Sequence, residues 1–519
     1  MANVSGLLKA LRNHEAGICV LGMGHVGLPT ALGFAELGWR VIGADNDSDK
    51  ISLIAGGQCP FYEPGLKELL SKQLSNAQFR VTNNVEEAIR SSAVLFLCVG
   101  TPQKETGEAD LTEIEVLART ISRNLNGYKL IVEKSTVPAI TGCWIKKTVG
   151  RYLTAFASGP VESSTSGKQI AASADSEGFD VASNPEFLQE GSALEDFFCP
   201  DRIVCGVSSN RARQLLAGIY EPLGCPVIFT DVNTAELIKH AANSLLATKI
   251  SFANMVADIC EAVGADVTEV ARGIGLDVRI GTHFLNAGLG FGGYCLPKDL
   301  RALIYLAEQK NVDASLLRST ERINQSRVDK FLRKARNAVW IPRGKVIGVL
   351  GLSFKAGTDD IREAPSIKVI SALRDEGALL KLHDPMAIEN AKLLIPEQPG
   401  HVTYHANPYE VSEGAHALLI LTEWQDFGAL DFDRIRNLMQ VPVIVDGRNL
   451  LDGKKLSANG FEYFSMGRGD EFDSPFYFRP KIQNKYNFRM SKGKRQKTTS
   501  MLQHPNDTHT STFLQAADR

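Results

Sequence analysis

The stretch Gly290 to Leu300 reads GFGGYCLPKDL and sets Cys295 behind a glycine pair, with Lys298 and Asp299 just after it. A thiolate is a strong nucleophile, and neighbouring cations lower a thiol's pKa. By residue type alone a single cysteine is more often packing, since free cysteine is among the most buried residue types. Lys239 and Asn243 lie one helical turn apart and share a face. A lysine on an exposed face is the default, whereas one aimed into a cleft stabilises a developing oxyanion. SNPEFLQEG (183–191) carries Glu186 and Glu190 into a turn after an apolar run. Acids in such a place usually cap a helix, and otherwise they serve a site. Together these residue types could carry nucleophilic chemistry at a carbonyl.

A second constellation is GMGHVG, with Gly22, Gly24 and Gly27 after the apolar run GICVLG (17–22) and before a helical pattern over 28–38. The next apolar run, Val41 to Ala44, ends at Asp45. In this setting the first glycine allows a tight turn, the second admits a pyrophosphate, and the third packs helix on strand. The helix N-terminus adds positive potential for the phosphates. Asp45 would bind a ribose 2′-hydroxyl and repel a 2′-phosphate, which favours NAD over NADP. CVGTP (98–102) and EKSTVP (133–138) each end a strand candidate, and ligands of open α/β sheets bind outside such ends. Their small and hydroxyl residues suit a cofactor edge and ordinary loop closure equally well. A thiol next to a nicotinamide suggests aldehyde oxidation: the thiol adds, the hemithioacetal loses hydride, and the thioester hydrolyses.

The elements that must position these residues follow from the hydrophobic pattern. Strand candidates at 17–22, 41–44, 93–99, 129–133, 179–182 and 203–207 alternate with helical patterns. They predict a parallel sheet with helices on both faces. Residues 234–276 are alanine-rich with helical spacing and predict one long helix followed by a shorter one. Strand candidates recur at 345–351, 379–383, 416–421 and 442–446, a second parallel-sheet part. The fold class is therefore α/β, with two Rossmann-like sheets joined by a central long-helix domain. Residues 153–177, rich in Ser, Ala and Gly, read as a solvated insertion loop. After about residue 475 the chain is polar, with seven Lys/Arg between 481 and 497, and reads as a disordered basic tail.

The bulk numbers exclude several classes. A net charge of −2 argues against general nucleic-acid affinity. No apolar run approaches the ~18 residues of a membrane span, and the first residues lack the apolar core of a signal peptide. A cytoplasmic protein is expected. None of the nine cysteines forms a CxxC pair and no HExxH occurs, so reduced thiols are expected and no metal is.

The ordered motifs GMGHVGLP, YEPGL (62–66), GTP (100–102), STVP (135–138), SNPEFLQEGSALEDFF (183–198), AELIKHAANSLLATKISFAN (235–254), FLNAGLGFGGYCLPKD (284–299) and GLSFKAGTDDIREAP (351–365) strongly resemble the UDP-glucose 6-dehydrogenase family, a branch of the nucleotide-sugar dehydrogenases. The resemblance runs over residues 15–460. It implies an N-terminal NAD-binding domain over 1–220 with an insert near 153–177, and a central helical dimerisation domain over 221–330. A C-terminal UDP-sugar domain over 331–474 and a tail over 475–519 complete the chain. The implied reaction is oxidation of the C6 alcohol of UDP-glucose to the carboxylate, using NAD twice, in a homodimer or larger homo-oligomer. GDP-mannose or a UDP-N-acetylhexosamine is the alternative substrate. A nucleotide-binding protein that has lost catalysis is the alternative of another class, against which the set Lys239, Asn243, Cys295 and Asp299 argues.

Carried over by position, Cys295 resembles the nucleophile, with Lys239 and Asp299 handling oxyanion and water. Asn243 stands beside them, and Thr136 and Glu186 resemble further catalytic members, with Glu190 supporting Glu186. Phe187, Leu188, Phe284, Leu285 and Gly292 resemble sugar-nucleotide contacts, Gly292 by close backbone approach. Arg279 would reach a partner subunit's substrate, and Lys355 and Arg448 would bind substrate from the C-terminal domain. The implied cofactor positions are Gly22, Gly24, His25, Val26, Gly27, Asp45 and Lys50, with Gly100, Thr101, Thr136 and Lys298 across the cleft. Two residues depart from the family pattern: Tyr294 stands where serine is usual, and His25 where tyrosine is frequent.

Overall fold

The run GICVL becomes β1 (Gly17–Leu21), buried along its whole length because helices cover both faces of its sheet. The structure, a computed structural model, describes residues 4–157 and 178–469. Seven further strands join β1: β2 (Val41–Ala44), β3 (Phe79–Thr82), β4 (Ser92–Leu97), β5 (Lys129–Glu133), β6 (Phe179–Ser183), β7 (Ile203–Val207) and β8 (Val227–Thr230). Their order is β3-β2-β1-β4-β5-β6-β7-β8. Side chains alternate between two cores. Ile18, Val20, Val94, Phe96, Leu130 and Val132 face one, and Cys19, Leu21, Leu95, Leu97 and Ile131 face the other. Leu21 pairs with Ala44 on one side and Leu97 on the other, so β1, β2 and β4 end level.

The sequence pattern predicted a parallel sheet, and the observed one departs from that at one pair. β7 runs antiparallel to β6, and β8 runs parallel to β7. The chain leaves the carboxyl end of β6 and re-enters at that same end through the short helix Ala193–Phe198. An antiparallel neighbour needs no crossover, so SNPEFLQEG stays at the edge of the sheet where β1 and β4 also end.

The second sheet has β9 (Val346–Leu350), β10 (Leu379–His383), β11 (Val402–Tyr404), β12 (Ala417–Ile420), β13 (Val443–Asp446) and β14 (Glu462–Ser465), ordered β11-β10-β9-β12-β13-β14 with every pair parallel. This is the doubly wound order whose reversal, here between β9 and β12, opens a ligand crevice. The first six strands of the other sheet repeat it, with the reversal between β1 and β4.

Between the sheets runs the long helix Val232–Val263, followed by the shorter helix Val267–Gly275. At 32 residues the first is about 48 Å long, from ~1.5 Å per residue. Asp231 caps it by accepting from the Thr234 N–H, and Gly264 ends it in the left-handed conformation. Two more helices pack on it, the thiol helix Cys295–Gln309 and the return helix Ser315–Val339. Residues 153–157, expected in a loop, continue the helix Thr141–Ala157; the rest of that insert and the basic tail lie outside the described residues.

Candidate active site

The glycine loop has the three environments its spacing predicts. Gly22 has φ +99°, and a Cβ there would stand 2.6 Å from the Cys98 carbonyl oxygen. At Gly27 a Cβ would be 1.8 Å from the Gly22 oxygen, so helix and turn are in contact. At Gly24 nothing lies within 4 Å, and the same holds at Gly100 across the cleft. Those open positions follow β1 and β4, the two strands at the reversal of strand order, where sheets of this kind bind a dinucleotide. Val26 stands at the N-cap of the helix Gly27–Glu36. Asp45 accepts hydrogen bonds from the Met23 N–H at 2.8 Å and Lys50 Nζ at 2.9 Å. Its carboxylate is thus fixed at the end of β2.

His25 stacks on Phe61 with ring centroids 4.1 Å apart, and its Nδ1 has no partner. Burial, helped by Arg362, holds its pKa down at about 4, so the ring is neutral. Thr101 donates from Oγ1 to the Thr136 carbonyl at 2.9 Å, and Lys298 Nζ reaches Thr101 Oγ1 at 3.5 Å. That contact ties the thiol helix to the cofactor edge. Thr136 itself is half-buried on the loop after β5.

The polar residues of the long helix meet those of two other segments. Lys239 Nζ lies 3.1 Å from Glu186 Oε1, with both side chains almost wholly buried. The second Glu186 oxygen accepts from the Leu188 N–H at 2.5 Å. Lys239 is also 5.2 Å from the Phe187 ring centroid. Asn243 Nδ2 donates to Asp299 Oδ2 at 2.6 Å, and Lys298 Nζ stands 2.7 Å from Asp299 Oδ1. Burial opposes the charge on Lys239, but Glu186, Cys295 and Asp299 outweigh it and hold the ammonium above its ordinary pKa. Burial likewise opposes ionisation of Asp299, and Lys298, His240 and Lys239 outweigh it. The site therefore holds fixed charges of both signs in a water-poor setting, where they act strongly.

Cys295 is the first residue of its helix, where the backbone N–H groups favour an anion. Burial works against this, and Glu186 adds to burial, so the thiol is pushed up to about 12 despite Lys239. It is a protonated thiol in the ligand-free protein.

The loop before the thiol is held at nearly every peptide. The Gly288 N–H donates to Asn254 Oδ1 at 2.8 Å, and its carbonyl accepts from Arg327 Nε at 3.0 Å. The Leu289 N–H donates to the Gly447 carbonyl at 2.9 Å. The Gly290 carbonyl accepts from Arg448 at 3.0 Å. Asn324 accepts from the Phe291 N–H at 2.8 Å and donates to its carbonyl at 3.0 Å. The Gly293 N–H donates to the Arg362 carbonyl at 2.9 Å. The loop glycines press on protein: a Cβ would meet Asn324 Oδ1 at 2.4 Å from Gly290, the Glu363 oxygen at 2.6 Å from Gly292, and the Phe354 ring at 2.7 Å from Gly293.

Other predicted residues divide into those near this centre and those apart. Arg448 donates to the carbonyls of Leu421, Gly290 and Phe354, so its guanidinium joins both ends of the C-terminal crevice to the loop. Lys355 is half-buried on the strand-end loop after β9. Glu190 meets Arg362 at 3.3 Å, and burial, with Asp360 adding, raises it to about 7. Leu285 is buried, and Phe284 takes a left-handed backbone at φ +64°. Arg279 stands apart, largely exposed and paired with Asp277.

Sequence reasoning passed over Asn324, Arg327, Asn254 and Glu236. Arg327 is fully buried. Glu236 accepts from the N–H groups of Ile140 and Gly142, each at 2.7 Å, and so pins the loop carrying Thr136 to the helix carrying Lys239. The one legible sign is their spacing, Glu236 three residues before Lys239 and Asn324 three before Arg327, each pair on one helix face.

A dinucleotide-type glycine loop together with a half-buried thiol and a buried lysine and carboxylate set is the arrangement of a nicotinamide-dependent dehydrogenase. Three domain descriptions of the UDP-glucose/GDP-mannose dehydrogenase family match the chain: the NAD binding domain at 16–224, the central domain at 233–326 and the UDP binding domain at 348–453. The chain is 42% identical over 456 residues to the UDP-glucose 6-dehydrogenase TuaD of Bacillus subtilis (strain 168), covering 87% of this chain and 93% of that one. It is 42% identical over 460 residues to the UDP-glucose 6-dehydrogenase of Rhizobium meliloti (strain 1021), covering 87% and 100%. A solved UDP-glucose dehydrogenase from Pyrobaculum islandicum superimposes with a TM-score of 0.77 at 36% identity, covering 87% and 98%. The protein belongs to the UDP-glucose/GDP-mannose dehydrogenase family and is an NAD-dependent dehydrogenase.

Proposed function

We propose that this protein oxidises UDP-glucose at C6 to UDP-glucuronate, with Cys295 holding the sugar covalently between the two oxidations. Gly24, Gly100 and Asp45 would hold NAD, two molecules of which, bound in turn, would accept the two hydrides. The observation that carries the reading is the half-buried Cys295 thiol interacting electrostatically with Lys239, Glu186 and Asp299, of which the first two form one buried pair and the third pairs with Asn243.

In this reading the alcohol loses a proton and a hydride to give the aldehyde. The Cys295 sulfur then bonds to the aldehyde carbon, and its proton leaves to the water or carboxylate at hand. Lys239 stabilises the oxygen that becomes negative. Loss of a second hydride leaves a thioester. Water, held by Asp299 with Thr136 and Glu186, breaks the carbon–sulfur bond and returns the thiol. Holding the sugar on sulfur keeps the reactive aldehyde from escaping.

Residues 1–220 would hold NAD, 221–330 the helical core and 331–474 the UDP moiety, with Lys355, Arg448, Phe284, Leu285 and the Gly292 backbone toward the sugar nucleotide. An apolar stripe on the long helix supports a homodimer: Leu245, Phe252, Met255, Ile259 and Val263 are exposed along one face. Arg279, exposed and paired with Asp277, would then have to leave that pair to reach across. NADH formation with a panel of nucleotide sugars tests the substrate. Turnover of GDP-mannose without turnover of UDP-glucose would show the assignment to be wrong.

A further inference from the structure

We propose that Tyr294 is a positioning residue whose ring seats two cations, Arg362 and Lys298, and so fixes the walls of the cofactor cleft. Tyr294 immediately precedes Cys295 and stands at the N-cap position of the thiol helix, with no capping bond from its side chain. The Arg362 guanidinium lies 4.6 Å from its ring centroid and Lys298 Nζ lies 5.6 Å from it. Both are within the ~6 Å at which an aromatic face attracts a cation.

Each cation reaches a different part of the molecule. Arg362 comes from the segment after β9, is paired with Asp360 at 2.7 Å, and meets Glu190 of the N-terminal sheet's edge at 3.3 Å. It also acts on His25 of the glycine loop, beside the open Gly24. Lys298 pairs with Asp299 at 2.7 Å and approaches Thr101, beside the open Gly100. The two cations therefore act on the two loops that carry the open glycines, Arg362 on His25 and Lys298 on Thr101, and one ring lies against both. A dinucleotide brings a negatively charged pyrophosphate, which is bound best by cations already in place. The serine usual at this position in the family offers no π face, so this chain has a device of its own for keeping them there.

The inference rests on NAD lying in this cleft and not on which sugar is oxidised. Titration of NAD into the full-length protein, followed by calorimetry, reads it directly. Tyr294→Ser should weaken NAD binding about three- to tenfold. Tyr294→Phe keeps the ring and should bind NAD within about twofold of the parent. Tyr294→Leu fills the space without a π face and should behave as the serine variant does. In turnover, KM for NAD should rise by the same factor in the Ser and Leu variants while kcat moves less than about twofold. Unchanged NAD affinity in the Ser and Leu variants would overturn the proposal. So would a Phe variant as weak as the Ser variant, since the hydroxyl would then be the acting group. If UDP-glucose gives no NADH with the parent protein, the substrate assignment fails while the NAD titration still decides the role of the ring.

Discussion

Asn324 on the return helix pairs its side-chain amide with both the N–H and the carbonyl of Phe291, four residues ahead of the thiol. The amide copies one rung of a β-ladder, and Gly290 must be glycine because a Cβ would stand 2.4 Å from Asn324 Oδ1. Asn324→Ala leaves the Phe291 peptide unsatisfied in a buried place, a loss of about 1–3 kcal/mol. Turnover should fall about 100-fold through a displaced thiol, since an error of ~1 Å costs about that much. NAD affinity should stay within about twofold of the parent protein. Steady-state kinetics beside a calorimetric NAD titration checks this, and an unchanged kcat would refute it.

Cys295→Ala should abolish acid formation while NAD still binds. The thiol's own state is testable in the ligand-free protein. Its pKa lies near 12 because of burial, so at neutral pH the reactive thiolate is a small fraction. Modification by iodoacetamide should accelerate about tenfold per pH unit from pH 7 to 10. Peptide mapping must follow Cys295 itself, because Cys143 and Cys199 are exposed. A rate that levels off below pH 8 would mean a thiolate already formed.

Lys239 and Glu186 should depend on each other. Lys239→Met strands the Glu186 carboxylate in a buried place, a cost of about 3–5 kcal/mol. Adding Glu186→Gln should recover most of that stability without restoring NADH formation. Denaturant unfolding of both single variants and the double variant gives the coupling. Losses that merely add would argue that the pair is not the closed unit its 3.1 Å separation describes.

Asp45 should set cofactor choice. Asp45→Asn keeps an acceptor for the Met23 N–H and removes the charge that repels a 2′-phosphate. The ratio of kcat/KM for NAD to that for NADP should fall by at least about tenfold. An unchanged ratio would move discrimination elsewhere in the cleft.

The apolar stripe predicts association. Phe252→Glu or Ile259→Glu on the exposed face of the long helix should lower the oligomeric state measured by light scattering, because a charge in an apolar contact costs several kcal/mol. Unaltered assembly in both variants would remove this face from consideration.

Much of the fold was legible because its signals are local. Apolar runs gave ten of the fourteen strands among the described residues, passing over β3, β8, β11 and β14, and the glycine spacing gave the turn after β1. Alanine-rich periodicity gave the long helix and the shorter one after it. The reversal of β7 was not legible, since β-strand pattern carries no direction. The supporting polar residues were hidden for a related reason. Asn324, Arg327 and Glu236 bind backbone N–H and carbonyl groups, and a backbone partner leaves no trace in residue type. Arg448 shows the same limit from the other side. Its resemblance points to the substrate, yet its guanidinium is joined to three carbonyls.

The holds on the thiol loop come from residues made both before and after it, Asn254 ahead of it and Asn324, Arg327, Arg362, Gly447 and Arg448 behind. Gly447 and Arg448 bind Leu289 and Gly290 across more than 150 positions of sequence. During synthesis the nucleophile leaves the ribosome long before they do. Until those two residues emerge and dock, the loop lacks two of its anchors, and the unfinished protein has a sulfur without its full set of holds. Folding therefore lowers the bare reactivity of the Cys295 sulfur, and what waits for Gly447 and Arg448 is its position: the loop is fully anchored only after residue 448 has been made.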